Sequence, residues 1–313
     1  DAIIDKIVSD PEDREIKQVE ISLWENIKRK AVEGRRTGVG ITAEGDMLAA
    51  LGLRYGSENA IDFSVEVHKT IAIEAYRSSV EMAKERGSFP VFDIKKEKDH
   101  PFINRLAKED PKLIEDMKKH GRRNISLLTI APTGTTSLMT QTTSGIEPVF
   151  LPIYKRRRKV NPNDKEVKVT FVDEIGDSWE EYNVFHQNFI TWLKANDMDP
   201  EEIKNFDDKE LNELVKRSPY YKATSKDIDW MQKVKMQGEI QKWVDHSISV
   251  TINLPTEAKE ELVGDLYIKA WESGCKGVTV YRDGSRTGVL LATDNKVDEK
   301  LKFPTKRPKE LDA

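Results

Sequence analysis

The stretch from Asn124 to Phe150 constrains the chain most. Ile125 to Ile130 alternates and then runs apolar in the manner of a largely buried strand. Pro132 stops the ladder, because it has no N–H to donate and biases Ala131 away from helix. A turn of small hydroxylated residues follows: Thr133, Gly134, Thr135, Thr136 and Ser137. Their backbone N–H groups are not shielded by bulky side chains, their hydroxyls are donors, and they offer a natural N-cap for a helical segment starting near Ser137. Free amides at the positive end of a helix favour an anion, so the stretch has the local design of a phosphate site. The same composition also makes an ordinary turn that only caps a helix. The loop has neither the Lys of a Walker A sequence nor the glycine spacing of a Rossmann fingerprint.

Around this loop the pattern alternates between strand and helix. A charged helix is expected from about Asp10 to Glu33, a short strand over 37–41, an apolar helix ending near Leu51, and a long helix over 59–85 that Gly87 and Pro90 terminate. Residues 93–123, dense in Lys, Glu and Asp and broken by Pro101 and Pro111, read as a surface connection with one short helix. Lys155, Arg156, Arg157, Arg158 and Lys159 read as a solvated strand edge, with an extended nucleotide-binding surface as the alternative. Residues 177–216 read as helical around Trp179, Tyr182, Phe185, Phe189, Trp192 and Leu193, with a break at Pro200. A helix over 227–244 feeds a strand over 247–254; Thr256 caps a helix running to Ser273, and a strand follows over 276–281. Such alternation fits an α/β architecture. Beyond about Thr293 the chain is charged and poor in apolar anchors, which predicts a disordered tail over 293–313.

The 313 residues are 37% hydrophobic and 34% charged, enough for a sizeable core of one large or two small domains. A net charge of −4, from 51 basic and 55 acidic residues, supplies no global field for a nucleic-acid polymer or an anionic membrane, so any nucleotide binding must be local. There is no apolar run of membrane-spanning length, no signal-peptide core and no disulfide framework, which points to a reducing, cytoplasmic setting. The single cysteine, Cys275, reads as a small packed residue rather than a nucleophile. His68 reads as a packed helix residue, and no cluster at metal-ligand spacing accompanies it.

Four blocks, in order, carry a family resemblance over roughly residues 35–290. They are Arg36-Thr37-Gly38-Val39-Gly40 leading to Leu48-Ala49-Ala50-Leu51-Gly52; Ala131-Pro132-Thr133-Gly134-Thr135-Thr136-Ser137 followed by Ser144-Gly145-Ile146-Glu147-Pro148; Lys242-Trp243-Val244-Asp245-His246-Ser247-Ile248-Ser249 continuing to Asn253-Leu254-Pro255; and Gly274-Cys275-Lys276-Gly277-Val278-Thr279-Val280-Tyr281-Arg282-Asp283-Gly284-Ser285-Arg286. Together they resemble the catalytic barrel of ribonucleotide reductases, specifically the adenosylcobalamin-dependent class. A lone Tyr281 stands where reductases that import a radical from a partner subunit need a tyrosine pair. Residues 162–235 match less clearly, and no site is carried onto them.

The resemblance implies an α/β fold, part of the ten-stranded barrel built from two five-stranded halves. Residues 1–292 would be the C-terminal portion of that barrel. It implies radical reduction of ribonucleotides to 2′-deoxyribonucleotides, with adenosylcobalamin generating a thiyl radical. The family's radical cysteine lies in a Cys-x-Glu arrangement that this sequence lacks. The expectation is therefore a chain that supplies substrate binding and no catalytic residue, completed by an N-terminal reductase segment, with a ribonucleotide as ligand and a homodimer as a compatible assembly. Thr133, Gly134, Thr135, Thr136 and Ser137 would hold the substrate phosphates. Ala131, Pro132, Gly145, Ile146, Glu147 and Pro148 would line the substrate pocket, Glu147 more as a structural acceptor than as an acid or base. Two alternatives stand beside this: a non-catalytic nucleotide-binding or assembly subunit, and an unrelated phosphate-handling enzyme using the acidic group Asp173, Glu174 and Asp177.

Overall fold

The computed structural model describes residues 1–11, 14–160, 167, 169–173 and 176–285, so the tail expected over 293–313 and Glu174 lie outside the described residues. Helices α1 (Ala2–Ser9) and α2 (Arg14–Gly34) pack on each other at the start of the chain. The apolar side expected on α2 is there, but Ile16, Val19, Leu23 and Ile27 are exposed. After an extended segment over 37–41 come α3 (Glu44–Ala50) and the long α4 (Glu58–Arg86). Ser57 caps α4 by accepting the Ala60 N–H, and Gly87 ends it at φ 77°.

Residues 93–123 depart from the expected surface connection. They form three helices, α5 (Ile94–Glu97), α6 (Pro101–Glu109) and α7 (Pro111–His120). Both prolines open helices at a position where the missing N–H is not needed, so they start elements rather than break them. Phe102, Ile103, Leu106, Leu113, Ile114 and Met117 recur at three- and four-residue spacing and are buried in the main core with Tyr76 and Val80 of α4. The dense charge of this segment occupies the opposite faces and masked the apolar stripe.

A second extended segment, 125–130, leads into α8 (Gly134–Thr140), and a three-stranded antiparallel sheet follows: β1 (Ile153–Lys159), β2 (Phe171–Val172) and β3 (Ser178–Phe185), in the order β1-β3-β2. The helix expected from 177 is therefore strand up to Phe185. Its ladder with β1 sets Lys155 to Lys159 opposite Asn183 to Trp179, and Trp179 stacks on Phe171 at 6.4 Å, a cross-strand contact no helix would give. Helices α9 (Gln187–Ala195), α10 (Pro200–Ile203) and α11 (Asp208–Lys216) complete this module around an apolar cluster of Phe185, Phe189, Leu193, Ile203, Leu211 and Leu214, which Ala49 of α3 and Val149 share.

The chain then returns through α12 (Trp230–Gln241), β4 (Thr251–Leu254), α13 (Glu260–Glu272) and β5 (Thr279–Arg282). Lys259, not Thr256, occupies the cap position of α13; the Thr256 hydroxyl donates to the Asp283 carbonyl instead, at 3.2 Å.

The extended segments lie side by side and parallel in chain order. Val39 bridges Leu128, Ile130 bridges Ile248, and β4 pairs with β5 from Thr251–Thr279 to Leu254–Arg282. Parallel neighbours require long crossovers, which α3 to α7, α8 to α12 and α13 supply. This is the α/β order of a partial barrel. Among the described residues no helix is long and apolar enough to cross a membrane.

Candidate functional site

Two loops leave the carboxyl ends of the adjacent segments 37–41 and 125–130 and meet. Loops at that end of a parallel sheet are where such folds bind ligands. The Thr42 and Thr133 hydroxyl oxygens are 3.0 Å apart, so each loop holds the other. Thr133 is the cap residue of α8 and has φ 51°, a left-handed conformation that costs a β-branched residue more than most. Helix α8 starts at Gly134, three residues before the expected Ser137.

Its first helical bond runs from the Ser137 N–H to the Thr133 carbonyl at 2.8 Å. The N–H groups of Gly134, Thr135 and Thr136 therefore have no acceptor within the helix. All three residues are exposed, as are Ala131 and Pro132. A Cβ added at Gly134 would meet nothing within 4 Å, so the space over these amides is open.

The other two residues of the loop face inward. Ser137 is buried; its hydroxyl donates to the Gly134 carbonyl at 2.8 Å and lies 2.8 Å from the Ser144 hydroxyl. The Thr133 hydroxyl accepts the Gly145 N–H at 2.7 Å. These two side chains fasten the loop, and the open amides belong to Gly134 to Thr136.

Gly145, Ile146 and Pro148 are buried and support the loop from behind. Gly145 sits at φ 48°, and the Ile146 carbonyl accepts the Tyr55 hydroxyl at 2.5 Å. The Glu147 carboxylate accepts the Thr251 N–H at 2.6 Å and the Lys233 ammonium at 2.5 Å, while Lys233 also donates to the Thr251 carbonyl at 2.6 Å. Lys233 is 1% exposed, so Glu147 is the counter-ion of a buried cation. Opposite this turn Gly45 allows α3 to approach closely: a Cβ there would lie 2.6 Å from the Glu147 carbonyl oxygen.

Sequence reasoning missed the group that holds the turn 142–145. Asp46, in the first turn of α3, accepts the Thr143 N–H at 2.8 Å through one carboxylate oxygen. Its other oxygen faces His186 Nε2 at 2.7 Å and accepts the Tyr220 hydroxyl at 3.1 Å. Burial works against the Asp46 charge, but the hydrogen bonds from His186 and Thr143 outweigh it and hold the pKa below the ordinary value. Burial and the neighbouring Asp46 charge push the Tyr220 phenol well up, so Tyr220 stays a donor. Nothing local could have paired Asp46 with a histidine 140 residues away, on a segment with no strong motif of its own.

His68 pairs with Glu44 at 2.8 Å, both buried, and the second Glu44 oxygen has no hydrogen-bond partner. Cys275 packs beside the cluster of Val234, Ile252, Leu254 and Leu266, and burial pushes its thiol up to about 11. In the basic run, Lys155, Arg157, Arg158 and Lys159 are paired with Asp208, Glu181, Glu180 and Asp177, and Arg156 is exposed, as on a solvated strand edge. Asp173 accepts the Asp177 N–H at 2.8 Å and the Trp179 indole N–H at 2.7 Å, the work of a turn residue. Among the described residues no group of three or more His, Cys, Asp or Glu is placed to hold a metal ion.

Residues 14–281 match the family "Ribonucleotide reductase, barrel domain". The chain is 30% identical over 265 residues to the vitamin B12-dependent ribonucleoside-diphosphate reductase of Mycobacterium tuberculosis, covering 83% of this chain and 33% of that protein. It is 30% identical over 290 residues to the enzyme of the same name from Thermoplasma acidophilum, covering 91% of this chain and 34% of that one. The chain thus spans about a third of the length of these relatives. Among solved structures, the class Id ribonucleotide reductase alpha subunit of Actinobacillus ureae superposes with a TM-score of 0.56 at 19% identity, over 82% of this chain and 40% of that one, which is a likeness of fold. The ordered parallel segments, the loop at their carboxyl ends and a match over most of the chain lead to one conclusion: the chain belongs to the ribonucleotide reductase barrel-domain family.

Proposed function

We propose that this chain binds the phosphate groups of a ribonucleotide and is the substrate-holding part of a reductase that converts ribonucleotides to 2′-deoxyribonucleotides by radical chemistry. The observation that carries the reading is the set of three exposed, unpaired amides of Gly134, Thr135 and Thr136 at the carboxyl end of a parallel sheet in a chain of this family. Amides so presented donate to phosphate oxygens without any metal or lysine. Thr135 and Thr136 add hydroxyl donors, and Thr133 and Ser137 keep the loop in shape. Ala131 and Pro132 flank the loop on its exposed side, and Gly145 to Pro148 act through it. Because two relatives are named for ribonucleoside diphosphates, a diphosphate is the first substrate to test.

The relatives' names also point to adenosylcobalamin, which when bound supplies the initiating radical. A cavity of about 920 Å³ beside α4 and α12 is lined by charged residues such as Arg54, Glu58 and Lys226 together with Tyr55, Ile228 and Trp230. The radical cysteine is assigned to a complementary segment, because the sequence holds one cysteine, Cys275, packed beside the cluster of Val234, Ile252, Leu254 and Leu266.

The test mixes this chain with a complementary segment bearing the Cys-x-Glu arrangement and follows adenosylcobalamin-dependent formation of deoxycytidine diphosphate from cytidine diphosphate. Product is expected only from the mixture, and not with Gly134→Val, whose Cβ meets nothing within 4 Å and whose branched side chain enters the open space beside the amides. A stable complex that binds nucleotide but forms no product would make the chain a non-catalytic binding subunit.

A further inference from the structure

The helices and small sheet between Ile153 and Lys216 lie in the part of the sequence that carried no recognisable motif, yet the junction that follows β3 ends inside the loop's support. His186 caps no amide of α9 through its side chain; Nε2 points instead to Asp46, at 2.7 Å. Tyr220, which closes the same module after α11, donates to the same Asp46 oxygen at 3.1 Å.

From Asp46 the contacts run in one direction. The second carboxylate oxygen takes the Thr143 N–H at 2.8 Å, and the Thr143 hydroxyl returns a bond by accepting the Asp46 N–H at 3.2 Å. Two residues on, the Gly145 N–H donates to the Thr133 hydroxyl at 2.7 Å. Thr133 is the residue at φ 51° whose left-handed turn aims the Gly134, Thr135 and Thr136 amides outward. A β-branched residue keeps such a conformation only when its surroundings over-determine it. The neighbours that do so are Thr42 and Gly145, and Gly145 lies in a turn held by the Asp46 carboxylate together with the Ala43 and Glu44 N–H groups, which donate to the Thr143 and Gly145 carbonyls at 3.0 and 3.2 Å.

We propose that His186 and Asp46 are positioning residues for the anion loop: the module between Ile153 and Tyr220 packs on Ala49 and Val149 through its apolar cluster and makes its polar contact with the barrel through His186 and Tyr220, and that polar contact sets the geometry in which the loop receives phosphate. The proposal rests on the reading of the loop as a phosphate site. Neither residue touches the anion. Ligand-binding geometry depends on supporting groups of this kind, because a loop displaced by about 1 Å no longer aims its donors together.

The experiment titrates the full chain with inorganic pyrophosphate by calorimetry and follows the Gly134 and Gly145 amide resonances. Wild type is expected to bind, and Gly134→Val to lose binding. His186→Leu and Asp46→Asn are expected to weaken binding at least ten-fold and to shift the Gly145 amide. His186→Gln, whose side-chain amide can reach Asp46 from the Nε2 position, is expected to bind within three-fold of wild type. Tyr220→Phe, which removes only a hydroxyl, keeps the question answerable if His186→Leu does not fold; it is expected to weaken binding two- to three-fold with the same direction of Gly145 shift. Leu266→Ala, a core change remote from the loop, supplies a comparable loss of melting temperature and is expected to leave affinity unchanged.

Wild-type affinity in His186→Leu or, where that variant does not fold, in Tyr220→Phe, with binding still abolished by Gly134→Val, would overturn the positioning role and leave the phosphate reading standing. Equal losses in His186→Leu and Leu266→Ala would reduce the pair to general stability and overturn the role too. Absence of binding by wild type, or undiminished binding by Gly134→Val, would overturn the phosphate reading and the positioning role with it.

Discussion

The strand-end region and the module between Ile153 and Lys216 are fastened in different ways. At the strand ends, carboxylates with little exposure bind backbone amides of other elements. Asp245 takes the N–H groups of Leu127 and Leu128 at 2.9 and 2.8 Å and the Tyr76 hydroxyl at 2.7 Å, while Asp46 takes Thr143 N–H and Glu147 takes Thr251 N–H. In the module, a regular antiparallel ladder already pairs the backbone of β1 and β3, and the charges sit outside it as exposed cross-strand pairs such as Arg157 with Glu181 at 2.8 Å. The difference follows from what each region's backbone lacks. Irregular segments that must end in a ligand loop leave amides no ladder can pair, and a carboxylate supplies two acceptor oxygens at once.

The largest effect that would break this comparison is expected at Asp245. Asp245→Ala strands two backbone donors and the buried Tyr76 hydroxyl, at roughly 1–3 kcal/mol for each unsatisfied group. The loss in urea unfolding should therefore be at least about 3 kcal/mol, with the m-value unchanged. A loss below about 1 kcal/mol would show that carboxylate-to-amide fastening contributes no more than a surface pair. Next comes Glu147→Gln, which leaves Lys233, 1% exposed, without its counter-ion and should cost about 3 kcal/mol or more. Adding Lys233→Met to that variant should recover much of the loss, because removing the stranded charge relieves what the first substitution created. Two purely additive losses in that cycle would sink the ion-pair account.

The same contrast explains what the sequence could reveal. Extended segments 37–41 and 125–130, the strand ending at Leu254, the long helix α4, the helix α12 and the hydroxyl-rich turn after Pro132 all follow from local periodicity and turn chemistry, and they stand close to where those signals put them. The helix α6, α7 pair was missed because its charges outnumber its apolar residues, although 102, 103, 106 and 113, 114, 117 keep helical spacing. Strand β3 was missed because Trp179, Tyr182 and Phe185 lie three residues apart, a spacing that mimics a helix until the facing basic strand is known. The support of the loop was not legible at all. Asp46, His186, Tyr220 and Lys233 act through partners far away in the chain, and a single sequence carries no distance information of that kind.

A middle-sized effect is expected with acid. The Asp46 pKa in the fold lies below its ordinary value of 3.8, so the folded state binds fewer protons there than the unfolded chain. Its contribution is present above the unfolded value and is lost as pH falls through the lowered folded value. Wild type should therefore exceed Asp46→Asn in stability at pH 7, and the gap should close below about pH 4, in denaturant titrations at matched salt. A gap that stayed constant down to pH 2 would remove the carboxylate's charge from the explanation.

The smallest effect is the control that gives the others meaning. Arg157→Ala removes an ion pair whose arginine is 60% exposed, together with a cation–π contact to Phe171 at 4.9 Å. Exposed pairs contribute about 0.2–1 kcal/mol because water and salt screen them and both side chains lose freedom. The expected loss is under about 1 kcal/mol and should shrink further in 1 M salt, leaving only the screened-insensitive part of the ring contact. Pyrophosphate affinity should not change, since the β1–β3 ladder holds the backbone without this side chain and His186 keeps its place at the end of β3. If Arg157→Ala instead lowered affinity as much as His186→Leu, the module would be transmitting through its sheet as a whole, and the contrast between a fastened loop and a merely decorated ladder would fail.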